Sequence, residues 1–281
     1  YAFKRIEPGS TFKLVSLISL FRDKLIHIDD KIDCQGGSWK IGPFTIHDSH
    51  AGLGVLTIRD AFAHSSNVAF AKLIHTNYKD RIGTYWSDLH ALHLDQKTGL
   101  DLDGEAMPRF KKDTVSKSRY TLAYLGTGYS ILITPLHTCM VYNAIANRGV
   151  MMKPYLVNSV REYGKDILHF EPQALTEPLV DSASLAQIKE AMQEVVESGT
   201  GKELKNPYYT ICGKTGTAQV ADKGIHYADR VYHGSFVGFF PKENPKYTIC
   251  VVLRTHKGSS NYYGGAIALP VFKEVANQLY A

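Results

Sequence analysis

The hydrophobic pattern changes period near Gly149, and this change restricts the chain to a fold that combines helices with an antiparallel sheet. Before it, apolar residues recur at helical spacing. Pro8-Gly9 punctuates the start, and Ser10 opens a stretch through Phe12, Leu14, Val15, Leu17, Ile18, Leu20 and Phe21 that is apolar enough for a buried helix. Residues 33–54 are rich in Gly, His, Asp and Ser and read as loop, whereas Thr57 to Ile74 carries helical spacing. Further helices are expected between Asp80 and Ala146, which makes approximately 22–150 a mainly helical lobe. After Gly149, Tyr155-Leu156-Val157 and Ile167 to Phe170 flank Tyr163-Gly164-Lys165 as a hairpin would. Leu185, Ile188, Met192 and Val195 predict a helix capped by Ser182 or Ser184 and ending near Gly199. Strands are expected over Tyr208 to Gln219, Ser235 to Phe240 and Tyr247 to Arg254, forming an antiparallel meander. A closing helix from Ala266 to Tyr280 places Pro270 in its first turn.

The 281 residues, 44% of them hydrophobic, suffice for one folding unit with a sizeable core. A formal net charge of +5, spread without basic runs, gives no footprint for nucleic acid. Cys34, Cys139, Cys212 and Cys250 lie far apart, in neither a C-x-x-C pair nor a zinc spacing, so buried free thiols are expected. His47-Asp48-Ser49-His50 lacks a convincing third ligand, and neither metal nor cofactor is expected. No apolar stretch is long enough to span a bilayer, so the chain by itself reads as soluble; it starts at Tyr1 with a candidate nucleophile within ten residues, so a fragment of something longer is expected.

Three short motifs can carry chemistry. Ser10-Thr11-Phe12-Lys13 sets a hydroxyl and an amine three residues apart, on one face of a helix. The lysine can accept the serine proton if burial lowers its pKa, and the helix N-terminus favours negative charge on the serine oxygen. Such a pair arises about once by chance in a chain of this length, so a solvated helix face competes with the functional reading. The apolar sequence that follows favours burial. Ser65-Ser66-Asn67 supplies a second hydroxyl and an amide, equally consistent with an ordinary cap, and Ser259-Ser260-Asn261 repeats the tripeptide. Lys214-Thr215-Gly216-Thr217 puts a cation, two hydroxyls and a glycine in a strand, which suits a peptide that ends in a carboxylate and adds at a strand edge. A lysine-protected edge is the plain alternative.

Ser-x-x-Lys, Ser-x-Asn and Lys-Thr-Gly in this order resemble the motif set of penicillin-binding proteins and class A β-lactamases. Glu7-Pro8-Gly9-Ser10, Thr134-Pro135-Leu136, Ala146-Asn147-Arg148-Gly149 and Ser235 to Pro241 extend the resemblance to class B penicillin-binding proteins over nearly the whole chain. The Glu-Pro-Gly-Ser opening is more similar to the septal branch than to the elongation branch. His137 stands where this family would have glutamine.

The resemblance implies an α/β (α+β) fold of the serine β-lactamase/D,D-peptidase kind, with a central antiparallel sheet flanked by helices. It also implies strands upstream of the nucleophile helix, so residues 1–281 are expected to be an N-terminally truncated transpeptidase domain with an incomplete sheet. The implied activity is D,D-transpeptidation of peptidoglycan stem peptides ending in D-Ala-D-Ala, with β-lactams as inhibitors. Ser10 would be the nucleophile and Lys13 its base. Ser65 would relay a proton with help from Lys214, Asn67 would hold the peptide amide, and Thr215 and Thr217 would bind the carboxylate beside Gly216. The N–H groups of Ser10 and Thr217 would form the oxyanion hole. The resemblance further implies an envelope location outside the cytoplasm, a membrane anchor elsewhere in the full-length protein, and a glycan polymerase and division proteins as partners. A class D β-lactamase is disfavoured by Asn67, where that class usually has valine. A non-catalytic sensor or scaffold is disfavoured because all motif residues are present.

Overall fold

The computed structural model describes residues 1–110, 119–220 and 229–280; part of the range expected to hold further helices, 111–118, lies outside them. The axis of the core is α1 (Lys13–Arg22), in which every residue from Lys13 to Phe21 is buried. A helix surrounded by protein must be apolar all round or have its polar groups satisfied. Ser16 meets the second condition by donating to the Gly126 carbonyl at 2.9 Å.

The segment read as loop contains strands. Lys31–Asp33 (β1) pairs with Val55–Thr57 (β4), and Ser38–Ile41 (β2) forms a hairpin with Phe44–His47 (β3). Its alternation is only a few residues long, and becomes decisive when Ile41 and Ile46 meet Val68, Ala71 and Ala123 in a small core. The helical spacing from Thr57 to Ile74 splits into α2 (Ile58–Ala63) and α3 (Asn67–Tyr78). Thr57 caps the first and Ser66 the second, each accepting from the backbone N–H three residues on. Ser65, at φ 59°, turns the chain between them.

Helices α4 (Ile82–Ala91), α5 (Arg119–Leu125) and α6 (Pro135–Ala146) follow, with the short pair β5 (Arg109–Phe110) and β6 (Ile131–Leu132). The predicted hairpin forms as β7 (Ser159–Glu162) and β8 (Lys165–His169), turning at Tyr163-Gly164; Tyr155 to Val157 precede it. In α7 (Ser182–Glu197) the cap is Asp181, one residue before Ser182 and three before Ser184, with its carboxylate accepting from Ser184 N–H at 2.8 Å.

The meander forms as β9 (Cys212–Gln219), β10 (Tyr232–Phe240) and β11 (Tyr247–Arg254), in the antiparallel order β11-β10-β9. Strand period sorts β10 between two cores: Val237 and Phe239 join the cluster that includes α1 and α7, while Phe236 and Phe240 join Leu269 and Phe272 of α8 (Gly264–Tyr280). Pro270 lies in the interior of α8, beyond its first turn. Layers of helix, sheet and helix thus hold β9, an edge strand among the described residues, against the start of α1.

One charged group under this core sets a pH dependence. Asp88 is buried and ion-paired to Arg22 at 3.2 Å, and burial, with a smaller contribution from the charge of Asp23, raises its carboxyl to about 7. The folded state therefore binds a proton that the unfolded state has released above about pH 4. This contribution favours folding at low pH and is lost as pH rises through 7. Urea midpoints between pH 5 and 8 should fall with pH for the native chain, and Asp88→Asn should flatten that dependence.

Candidate active site

Ser10 lies in a 3₁₀ turn, Gly9–Phe12, that runs directly into α1. The turn is drawn onto β9 by missing side chains. Gly9 has φ 55°, and a Cβ there would lie 2.7 Å from the Thr217 carbonyl oxygen. Across the contact, a Cβ on Gly216 would lie 2.5 Å from Ser235 Oγ and 2.7 Å from Thr11 Cγ2. Glycine in this strand therefore marks a close approach. Gly216→Ala should cost about 1–3 kcal/mol by overpacking, read as a lower urea midpoint with unchanged slope.

Lys13, one turn after Ser10, is fully buried. Its Nζ donates to Ser65 O at 2.6 Å, to Ser65 Oγ at 3.2 Å and to Asn67 Oδ1 at 2.7 Å. An ammonium has three donors, so these acceptors account for all of them. Asn67 presents its oxygen to the lysine because its Nδ2 donates to His47 O at 2.9 Å. Burial lowers the Lys13 pKa to about 7, with the negative charge of Asp48 working in the opposite direction. The amine therefore exchanges its proton near neutrality, as a general base requires.

Lys214 of β9 is also fully buried, its Nζ over the Phe62 ring and donating to Thr215 O at 3.2 Å. Burial first, then repulsion from Lys13, holds its pKa well below the ordinary lysine value. The two lysines form a site of positive potential that a neighbouring anion would relieve. Beside them Thr215 Oγ1 is 2.6 Å from Thr200 Oγ1, and Thr217 Oγ1 accepts from Gly264 N–H at 3.0 Å.

Ser10, Ser65, Asn67, Thr215, Gly216 and Thr217 line one cavity of about 440 Å³, a size suited to a small-molecule or peptide end. β9 pairs with β10 along one edge, and Thr215 to Thr217 face this cavity. The second tripeptide is absent from its lining: Ser259 and Asn261 lie in a surface loop closed by Ser259 Oγ donating to Asn261 O at 3.0 Å. A larger cavity, about 740 Å³ and lined by Lys4, Arg5 and Arg254 among others, holds none of the motif residues.

Sequence reasoning missed several neighbours of the site. Tyr129, Tyr232, Tyr262 and Tyr263 line the cavity, Tyr232 stacking on Tyr262 at 4.1 Å and Tyr262 on Tyr263 at 4.5 Å. Asp48 accepts from Ser66 Oγ at 2.9 Å and from Val68 N–H at 2.9 Å. The only signal was the segment 47–50, weighed as metal ligands; among the described residues no group of three or more His, Cys, Asp or Glu side chains is placed to hold a metal ion. All four cysteines are free thiols, Cys34 and Cys212 buried and the other two half-buried. His137 is buried, with Nδ1 2.7 Å from Thr134 Oγ1 and Nε2 2.8 Å from Gln96 O. It stands outside the cavity.

Known proteins share both the sequence and the fold. Residues 2–277 match the family model described as penicillin binding protein transpeptidase domain. The chain is 27% identical to stage V sporulation protein D of Bacillus subtilis, covering 94% of this chain and 40% of that protein. It is 32% identical to penicillin-binding protein PbpB of Mycobacterium tuberculosis, covering 97% and 41% respectively. The chain thus spans about two fifths of the length of these relatives. The D,D-transpeptidase domain of a peptidoglycan glycosyltransferase from Eggerthella lenta superposes with a TM-score of 0.83 at 25% identity, over all of this chain and 67% of that one. Penicillin binding protein 3 from Mycobacterium tuberculosis superposes equally well, TM-score 0.83 at 30% identity, over 98% and 62%. The α/β fold is that of these domains, and the chain belongs to the penicillin-binding protein transpeptidase domain family.

Proposed function

We propose that this chain is the catalytic domain of a peptidoglycan D,D-transpeptidase that works through an acyl-serine intermediate. One observation carries the reading: a buried lysine amine that titrates near neutrality is hydrogen-bonded to Ser65 and Asn67, and Ser10 shares a cavity with Thr215 to Thr217. Ser10 Oγ attacks the carbonyl between the last two D-alanines as Lys13 takes its proton. Charge on the carbonyl oxygen falls between the N–H groups of Ser10 and Thr217, worth about 3 kcal/mol per donor. The C–N bond then breaks, and the departing amine takes the Ser65 hydroxyl proton, which Lys13 replaces. An amine from a neighbouring stem attacks the ester and loses its proton to Lys13, which returns it to Ser10 Oγ as the ester C–O bond breaks, leaving free Ser10 and a new amide bond. Thr215 and Thr217 supply hydroxyls for the terminal carboxylate, and Lys214 assists the proton relay through Ser65. A β-lactam, which imitates that end, would remain on Ser10.

The names of the relatives, among them stage V sporulation protein D and a peptidoglycan D,D-transpeptidase named FtsI from Caulobacter vibrioides, are in keeping with the septal role proposed here. Cell-wall synthesis by such relatives supports a place in the cell envelope, and a glycan polymerase and division proteins are the partners proposed for the full-length protein. No helix among the described residues is long and apolar enough to cross a membrane. The test is incubation with penicillin G followed by mass spectrometry, alongside a chromogenic cephalosporin. A single adduct on Ser10 with one stoichiometric burst is expected. Sustained turnover would assign a β-lactamase instead, and a stable adduct on a protein dispensable for cross-linking would assign a sensor.

A further inference from the structure

We propose that Asp48 is a positioning residue of this site, clamping the turn that carries Ser65 and Asn67 so that both face the amine of Lys13. The inference rests on the transpeptidase reading for its catalytic meaning, and on geometry for its substance. Ser65 occupies the left-handed region, at φ 59°, which costs a non-glycine residue on the order of 1 kcal/mol or more and persists only where neighbours hold it. Asp48 sits just after β3, and its carboxylate holds the far side of that turn at two points. Both of its oxygens accept from Ser66 Oγ, at 3.1 and 2.9 Å, and Oδ1 also accepts from Val68 N–H at 2.9 Å. The adjacent His47 carbonyl accepts from Asn67 Nδ2, so two consecutive residues of one segment fix three consecutive residues of the turn. Without the clamp, the polar ties from the β3 segment to the turn would reduce to Asn67, beside the apolar contact of Ile46 with Val68.

The same carboxylate acts on the base through space. The charged groups acting on Lys13 and its neighbour are Asp48 from the β3 side and Lys214 from β9, where Lys13 and Lys214 repel; Asp48 acts also on the Cys34 thiol, together with Asp33 and Lys72. Asp48 is the negative charge that opposes burial at Lys13, favouring its ammonium form. Geometry and charge can therefore be separated by substitution. Asp48→Asn keeps hydrogen-bonding capacity and loses the charge, Asp48→Glu keeps the charge, and Ser66→Ala keeps the charge but removes one arm of the clamp.

The experiment uses the chain with its lysines carrying ¹³C at Cε, titrated by NMR, together with penicillin acylation rates from pH 5.5 to 9. Asp48→Asn should move the Lys13 midpoint about one pH unit lower, and Asp48→Glu should return it. Ser66→Ala should leave the midpoint in place while slowing acylation about tenfold. A Lys13 midpoint unmoved by Asp48→Asn in a variant with native circular dichroism, or undiminished acylation in Ser66→Ala, would overturn the assignment. A purely structural aspartate would lower the melting temperature and leave the midpoint alone. Were penicillin to leave the native chain unmodified, the transpeptidase reading would fall, while the Lys13 midpoint would still decide the role of Asp48.

Discussion

Ser10→Ala is expected to eliminate the penicillin adduct completely while leaving the fold and its stability essentially unchanged. Both halves of this result come from the same structural fact. The Ser10 hydroxyl takes part in none of the side-chain hydrogen bonds of the described residues, although it lines the cavity between α1 and β9. Its removal therefore breaks no packing or pairing, and a change within about 0.5 kcal/mol in urea unfolding is expected. Ser65 lines the same cavity and could in principle be acylated in its place. Its Oγ is engaged by the Lys13 ammonium, and its strained backbone points it at that amine. An adduct on Ser65 in the Ser10→Ala variant would exchange the two roles proposed here. Peptide mapping of the intact and substituted proteins decides between them.

Lys13→Met should have the second large effect, slowing acylation about 10²–10⁴-fold, the usual range for losing a general base. The pH dependence identifies the cause. The reactive form of Lys13 is the neutral amine, and burial places its titration at about 7, so the native rate should rise with pH through 7 and level off above about 8. In Lys13→Met that rise should disappear, leaving a slow rate nearly independent of pH across the same interval. A variant that lost the rate but kept the rise would move the base elsewhere. Lys214 is the obvious second candidate, because it too is fully buried with a strongly lowered pKa. Its recorded hydrogen bond goes to the Thr215 carbonyl and not to a reacting hydroxyl.

How far the sequence could be read depended on how local each feature is. The meander, α7 and α8 follow from periods that repeat within a dozen residues, and Tyr247–Arg254 was read to the residue. The hairpin of β2 and β3 escaped because its apolar positions, Trp39, Ile41 and Ile46, are too few to establish a period before α3 supplies the surface they pack on. The division of α2 from α3 escaped for a related reason. Helical spacing runs through Ser65, and the left-handed residue there is held by Lys13, 52 residues away, while its neighbour Ser66 is held by Asp48, 18 residues from it. Asp181 took the cap assigned to Ser182 or Ser184; it lies one residue before the first of these, within the scatter of helix ends.

The candidate catalytic residues were legible as three short motifs in order, since hydroxyl, amine and amide types at fixed spacing are written in the chain. Which of two identical tripeptides is proposed for the site was legible only through family order, and the geometry separates them: Ser65 and Asn67 reach Lys13, whereas Ser259 bonds within its own loop. The aromatic wall and Asp48 left no motif, because each joins the site from a separate segment. Residue types, helix and strand periods and the glycines at positions 9 and 216 were local properties, and the chain carried them openly. The pKa of Lys13, the strained turn at Ser65 and the meeting of α1 with β9 are sums over distant groups, because desolvation and Coulomb fields depend on what packs nearby in space and not on what is near in sequence.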